Sequence, residues 1–236
     1  MDSDERQLSF YWQYTAYFAL SLLVLVFVLV LGSSADVYFH RFLGEMNQVI
    51  VISTLSGLGA AALWALQSNY GFIVFRGGEK TLSGVRLSAV LATVLALEII
   101  IADSIIRYPK DMNVPISQGL LFYPAIGFVA EIVFHVLPLA LLLTALKALA
   151  GCLRRKGIIW LGIVFVGVSE PTFQVMFEGK GFTLGAAYTW VHVFVIALLE
   201  LYVFRRFDFV SMFSFRLFYY AYWHILWGTV RLDVLF

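Results

Sequence analysis

The sequence predicts an all-α integral membrane protein, a bundle of about seven transmembrane helices. Of its 236 residues, 61% are hydrophobic and only 13% are charged, which is far from the composition of a soluble domain. The mean hydropathy is +0.89, and the apolar residues form runs close to the ~20 residues that a helix needs to cross a bilayer. We expect a single transmembrane domain over residues 1–236.

Each predicted span is an apolar run bounded by polar residues. The aromatic cluster Phe10–Tyr17 lies at the beginning of the first span and is typical of residues that anchor a helix at the headgroup layer. The first span ends at Leu31. The polar segment Arg76–Lys80 separates the second span from the third, and its Gly-Gly pair predicts a turn. The spans after the first are placed at about Gln48–Leu66, Val85–Ile106, Ser117–Leu146, Gly157–Phe177, Phe182–Phe204 and Asp208–Val230.

Two spans carry patterns that predict how they pack. Ser53, Gly57 and Ala61 follow one another at four-residue spacing in the second span, and we expect this small-residue face to pack on a neighbouring helix. The fourth span is longer than the ~20 residues required. It is therefore expected to tilt, to bend at Pro124 or Pro138, or to extend past the membrane.

Basic residues are distributed unevenly between the two sides of this topology. The segment Lys147–Lys156 contains Lys147, Arg154, Arg155 and Lys156 and no acidic residue. The positive-inside rule then predicts a cytoplasmic amino terminus. The net charge of +1 leaves no basic surplus for nucleic acid, and the lone Cys152 excludes an internal disulfide framework.

The fourth span carries polar and helix-breaking residues on one face. Its members Pro124, Gly127, Glu131, His135 and Pro138 are three or four residues apart, so a helix places them on the same side. An acidic residue at the bilayer centre costs about 2.5–3.5 kcal/mol on insertion scales, which makes Glu131 a candidate site residue. His135, one turn away, could share a proton with it, orient it or help to hold a metal ion.

Later spans add three more candidates. Glu170 precedes Pro171, whose missing N–H breaks the helix beside a carboxylate. His192 lies in an apolar run, and His224 belongs to a polar stripe at four-residue spacing in the last span. Glu98, Glu131, Glu170, His192 and His224 lie at similar predicted depths, and we expect them to share one water-filled cavity.

Two further charged residues lie in the last two predicted spans. Glu200 is expected to neutralise Arg205 or Arg206 at the basic end of the sixth span. Arg216 belongs to the polar stripe with Tyr220 and His224, and it could alternatively extend its charged head toward the membrane surface.

Glu131 and the later histidines give the chain a resemblance to the CAAX prenyl protease and bacteriocin-processing (CPBP) family of intramembrane proteases. In that family's first motif, EExxxR, Glu131 matches the second glutamate, with Ala130 and His135 at the other two positions. The segment Gly167–Gln174 falls at the second motif, FxxxH, and supplies Glu170 and Gln174. His192 suits the histidine of the third motif, with Ile196 where that motif has Asn.

The resemblance implies a helical bundle in which glutamate and histidine activate water against a peptide carbonyl. It makes Glu131 or Glu170 the general base, with His192 and His224 stabilising the oxyanion or carrying protons. The catalytic candidates are then Glu131, His135, Glu170, His192 and His224. The implied substrate is a hydrophobic or prenylated peptide at the membrane, and an inactive relative would share the same pattern.

Two alternatives remain open on the sequence alone. The same five residues suit a non-hydrolytic membrane subunit that binds a metal, haem or quinone. They also suit a structural or assembly partner in a membrane complex, in which buried polar residues specify helix packing. Membrane lipid and other membrane subunits are the partners expected in these cases, and no ligand spacing favours a particular cofactor.

Overall fold

The chain folds into a helical bundle, which confirms the predicted all-α class. The computed structural model describes residues 3–149, 155–178 and 183–236, and these ranges contain no β-strand. Their α-helices are α1 (Ser3–Leu31), α2 (Asp36–Leu43), α3 (Gln48–Tyr70), α4 (Gly78–Ile106), α5 (Ile116–Ala130), α6 (Leu137–Leu149), α7 (Arg155–Gly167), α8 (Ser169–Glu178), α9 (Leu184–Arg206), α10 (Phe209–Tyr220) and α11 (Gly228–Leu235). A 3₁₀ turn at Gly32–Ala35 joins α1 to α2, and π-helical turns at Glu131–Val136 and Ala221–Trp227 join α5 to α6 and α10 to α11.

Six helical segments of the described chain are long and apolar enough to cross a membrane, as expected for a polytopic integral membrane protein. They are Tyr11–Leu43, Gln48–Tyr70, Gly78–Ile106, Ile116–Lys147, Lys156–Met176 and Leu184–Arg206. The predicted last span forms α10, the second π turn and α11, and it is not among these six. It nevertheless belongs to the bundle, because α10 packs against α4, α5 and α9.

Asp208 fixes the beginning of α10. Its carboxylate accepts hydrogen bonds from the backbone N–H groups of Ser211 at 2.8 Å and Arg76 at 3.1 Å. The Thr81 hydroxyl also donates to it. These bonds attach the beginning of α10 to the segment between α3 and α4, where Gly77 and Gly78 make the predicted turn with φ of 72° and 55°.

The predicted break before Pro171 is present. Helix α7 ends at Gly167 and α8 begins at Ser169. Pro138 cannot donate an N–H to the carbonyl of Phe134, and the Ser169 hydroxyl donates to that carbonyl oxygen at 3.0 Å. The beginning of α8 is thereby attached to the π turn that follows α5.

The packing face of α3 differs from the predicted one. Ser53, Gly57 and Ala61 are exposed, and the expectation that they contact a neighbouring helix is wrong for this chain. The face that packs includes Ser56 and Gly59, which approach Tyr17 of α1, whose hydroxyl donates to the Ser56 carbonyl at 3.0 Å. Larger neighbours decide which side of α3 faces inward, and the small-residue spacing does not contain that information.

The predicted orientation of the chain in the membrane depends on the basic segment Lys147–Lys156. Residues 150–154 of this segment, which include Cys152 and Arg154, lie outside the described residues. The cytoplasmic amino terminus therefore stays a prediction.

Candidate functional site

A cluster of charged side chains is buried where α5, the first π turn, α8, α9 and α10 meet. Arg216 lies at its centre and is only 3% exposed. Its Nε donates to Oε1 of Glu131 at 2.7 Å, and Nη1 and Nη2 donate to the two oxygens of Glu170 at 2.8 Å each. Nη2 also donates to Oε2 of Glu200 at 2.7 Å. One guanidinium thus bridges three carboxylates from three helical segments, and we call these residues with His135 the charge cluster.

His135 joins the charge cluster from the first π turn. Its Nδ1 lies 2.7 Å from Oε2 of Glu131, which is one helical turn earlier, as the sequence spacing predicts. Its Nε2 lies 3.6 Å from Oε2 of Glu170 and has no hydrogen-bond partner among the described residues. Because π turns occur frequently at functional sites, the local geometry supports a functional role for this pair.

The charge cluster contains more negative than positive groups. Three carboxylates face one guanidinium, so with His135 neutral and all three acids ionised the excess is two negative charges. A buried excess of this size is unfavourable. The charge cluster must therefore hold protons or a further cation.

A cavity of about 250 Å³ adjoins the charge cluster. Glu170, Glu200 and Arg216 line it on the side of the charge cluster, and Glu131 and His135 are not among its described lining residues. Aromatic rings form much of the remaining wall, among them Tyr108, Phe122, Tyr123, Tyr219, Tyr220 and Trp223. Because the exposed Arg41 also lines it, the cavity reaches the surface near α2.

The two later histidines line this cavity without joining the charge cluster. His192 pairs through Nδ1 with Oε2 of Glu98 at 2.5 Å and through Nε2 with the Tyr219 hydroxyl at 2.9 Å. Nδ1 of His224 lies 2.8 Å from Oδ1 of Asn113. The structure thus brings Glu131 and Glu170 to either side of His135, and it places His192 and His224 in the cavity wall, outside the charge cluster.

Two members of the charge cluster have roles that differ from the predicted ones. Glu200 pairs with Arg216, and Arg205 instead donates to the carbonyls of Tyr70 and Gly71. Arg216 is buried in the bundle, which rules out the alternative that it extends its charged head toward the membrane surface. A usable signal existed, because several buried acids require a counter-ion and Arg216 is the one arginine or lysine that lies away from the ends of the predicted spans.

Comparisons with protein-family models, curated proteins and solved structures gave no significant match. Fold and site together define a class: a polytopic helical membrane protein with a buried cluster of glutamates around one arginine, beside a surface-connected cavity. The resemblance to the CPBP family depends on the motif residues alone.

Proposed function

We propose that the protein is an intramembrane hydrolase, a divergent relative of the CPBP proteases, that cleaves a peptide bond in a membrane-associated substrate. The proposal depends chiefly on one observation. Oε1 of Glu200 is buried and has no hydrogen-bond partner among the described residues, and Glu200 lines the cavity. A carboxylate oxygen in this state can take a proton from water that enters the cavity.

The proposed reaction begins when Glu200 accepts a proton from water and the water oxygen bonds to the substrate carbonyl carbon. Negative charge develops on the carbonyl oxygen, and the Tyr220 hydroxyl is the donor proposed to stabilise it. Nη1 of Arg216 donates to the Tyr220 oxygen at 3.2 Å, which leaves the phenolic hydrogen available. When the C–N bond breaks, the proton on Glu200 passes to the leaving amine.

Glu131 and Glu170, the bases expected from the sequence, receive positioning roles in this scheme. Both oxygens of Glu170 accept from Arg216. The oxygens of Glu131 are paired with Arg216 and His135. They hold the guanidinium that binds Oε2 of Glu200, and so they orient its other oxygen.

The test is cleavage of prenylated and hydrophobic fluorogenic peptides by the full chain in lipid vesicles. Glu200→Gln keeps the shape of the side chain and removes its basicity, so cleavage should fall by roughly 10²–10⁴-fold, with the thermal unfolding midpoint retained. Glu79→Gln is the matched control, because Glu79 is an exposed carboxylate 3.9 Å from Arg86. Equal cleavage by the Glu200→Gln variant and the wild type would contradict the proposal.

One observation favours a second candidate function, a non-hydrolytic metal-binding subunit. Glu131, His135 and Glu200 offer ligand atoms that all lie within 4.8 Å of one another. A divalent cation would balance the two excess negative charges, and mixed carboxylate and imidazole ligands suit iron, manganese or zinc. Against this, Arg216 already binds the two glutamates. Stoichiometric metal in the purified protein that is lost in His135→Ala would favour this candidate.

A further inference from the structure

Glu98 is a carboxylate in an unusual place, on the outer face of a membrane helix. Its side chain is 45% exposed, and its neighbours on α4, Leu97 and Ile101, are exposed at 57% and 65%. It lies eight residues before the end of α4 at Ile106, about 12 Å along the helix axis. An ionisable side chain at such a position costs free energy, and ionisable residues that are found in membrane helices usually mark a functional site.

From Glu98 a line of hydrogen bonds leads inward to the cavity. Oε2 of Glu98 lies 2.5 Å from Nδ1 of His192, and Nε2 of His192 lies 2.9 Å from the Tyr219 hydroxyl. His192 and Tyr219 are 5% and 7% exposed, and both line the cavity. The three side chains come from α4, α9 and α10, so they connect the outside of the bundle with its interior.

We propose that Glu98, His192 and Tyr219 form a proton path between the outer face of the bundle and the cavity. Inward transfer moves the Glu98 carboxyl proton to Nδ1 of His192 and the Nε2 proton of His192 to the Tyr219 oxygen. The hydroxyl proton of Tyr219 then passes to water in the cavity. One proton is moved in total, and the path resets when Glu98 takes up a new proton, His192 returns to the Nε2–H tautomer and the Tyr219 hydroxyl reorients.

Among the described residues, the other titratable groups around the path are the phenols Tyr108, Tyr188 and Tyr220. The Tyr188 hydroxyl, on α9, donates to Glu98, and the Tyr188 ring stacks on His192 with centroids 6.0 Å apart. These two contacts of Tyr188 hold Glu98 against His192, where the first proton transfer takes place. The Tyr108 hydroxyl is paired elsewhere, 3.0 Å from that of Thr189.

A proton path explains two features that simple helix packing does not. A hydrogen bond between α4 and α9 has no need of a carboxylate that stays 45% exposed, nor of a second bond from the same imidazole to a cavity-lining hydroxyl. The charge cluster also carries excess negative charge, so its protonation must change whenever a ligand or substrate changes that balance. The path connects water in the cavity with Glu98 on the outer face, and it does not depend on the proposed hydrolysis.

The experiment uses no substrate, so its outcome is separate from the cleavage test. The full chain in lipid is exposed to D₂O, and infrared spectroscopy follows exchange at the carboxyl band that Glu98→Gln removes, because the path connects Glu98 with water in the cavity through His192 and Tyr219. Tyr219→Phe and His192→Phe should slow this exchange by about 10²-fold. Glu79→Gln, on the same helix, should exchange at the wild-type rate.

Tyr219→Phe removes a single oxygen atom and keeps the ring, so it tests the path even if substitution of His192 disturbs folding. Circular dichroism of each variant checks the helix content. Wild-type exchange rates in both Tyr219→Phe and His192→Phe would overturn the proposal.

Discussion

Arg231 is a fully buried arginine whose partners lie near the end of α4 and in the segment that follows it. Its Nε and Nη2 donate to the two oxygens of Asp103 at 2.7 and 2.9 Å. Nη2 and Nη1 donate to the carbonyls of Tyr108 and Pro109 at 2.7 and 2.9 Å. The residue thus attaches α11 to the segment that borders the cavity.

Replacing Arg231 with Met should lower the free energy of unfolding by about 3–5 kcal/mol, because it leaves Asp103 buried without its counter-ion. The measurement is unfolding of the purified protein in mixed micelles. Arg86→Met is the control, since Arg86 is exposed and lies 3.9 Å from Glu79, and it should change stability by less than about 1 kcal/mol. Equal effects of the two substitutions would show that the Arg231 pair does not stabilise the bundle.

The helices themselves are the level at which the sequence was most informative. Six predicted spans correspond to α1 and to the helices from α3 to α9, because apolar run length and flanking polar residues are local properties. Rotation of a helix about its axis depends on its neighbours, and the small-residue face of α3 was accordingly misassigned. The fourth span contains a π turn at Glu131–Val136, between Pro124 and Pro138, which its sequence pattern did not predict.

A pair of glycines on α3 tests which face packs. A Cβ added at Gly59 would lie 2.7 Å from Cδ1 of Ile132 and would also clash with the Tyr17 hydroxyl, whereas one added at Gly57 meets nothing within 4 Å. Gly59→Ala should therefore destabilise the protein by about 1–3 kcal/mol through overpacking. Gly57→Ala should be neutral or stabilising by up to about 1 kcal/mol. The same unfolding measurement distinguishes them, and the reverse order would mean that the other face of α3 is packed.

Across the whole molecule, the sequence predicted that buried acidic and histidine side chains would lie close together. It identified only some of the residues of the charge cluster. Glu131, His135 and Glu170 meet because two of them share a helical turn and the third lies at a proline break that opens toward them. The counter-ion Arg216 was missed because it lies far along the chain from all of these residues. Glu200 was missed because Arg205 and Arg206 offered partners close in sequence.

Arg216 also joins three helical segments that would otherwise present unpaired charge to one another. Its contacts reach Glu131, Glu170 and Glu200. The packing of the bundle interior, the charge balance of the cluster and the shape of the cavity wall therefore all depend on the Arg216 side chain.

The most direct test is the free energy of unfolding of Arg216→Met, alone and combined with Glu131→Gln, Glu170→Gln and Glu200→Gln. Arg216→Met alone should lose about 3–5 kcal/mol, because three carboxylates remain buried without their counter-ion. The combined variant should recover most of that loss, because its cluster holds no unpaired charge. Wild-type stability in Arg216→Met, or no recovery in the combined variant, would contradict the arrangement of these glutamates around Arg216.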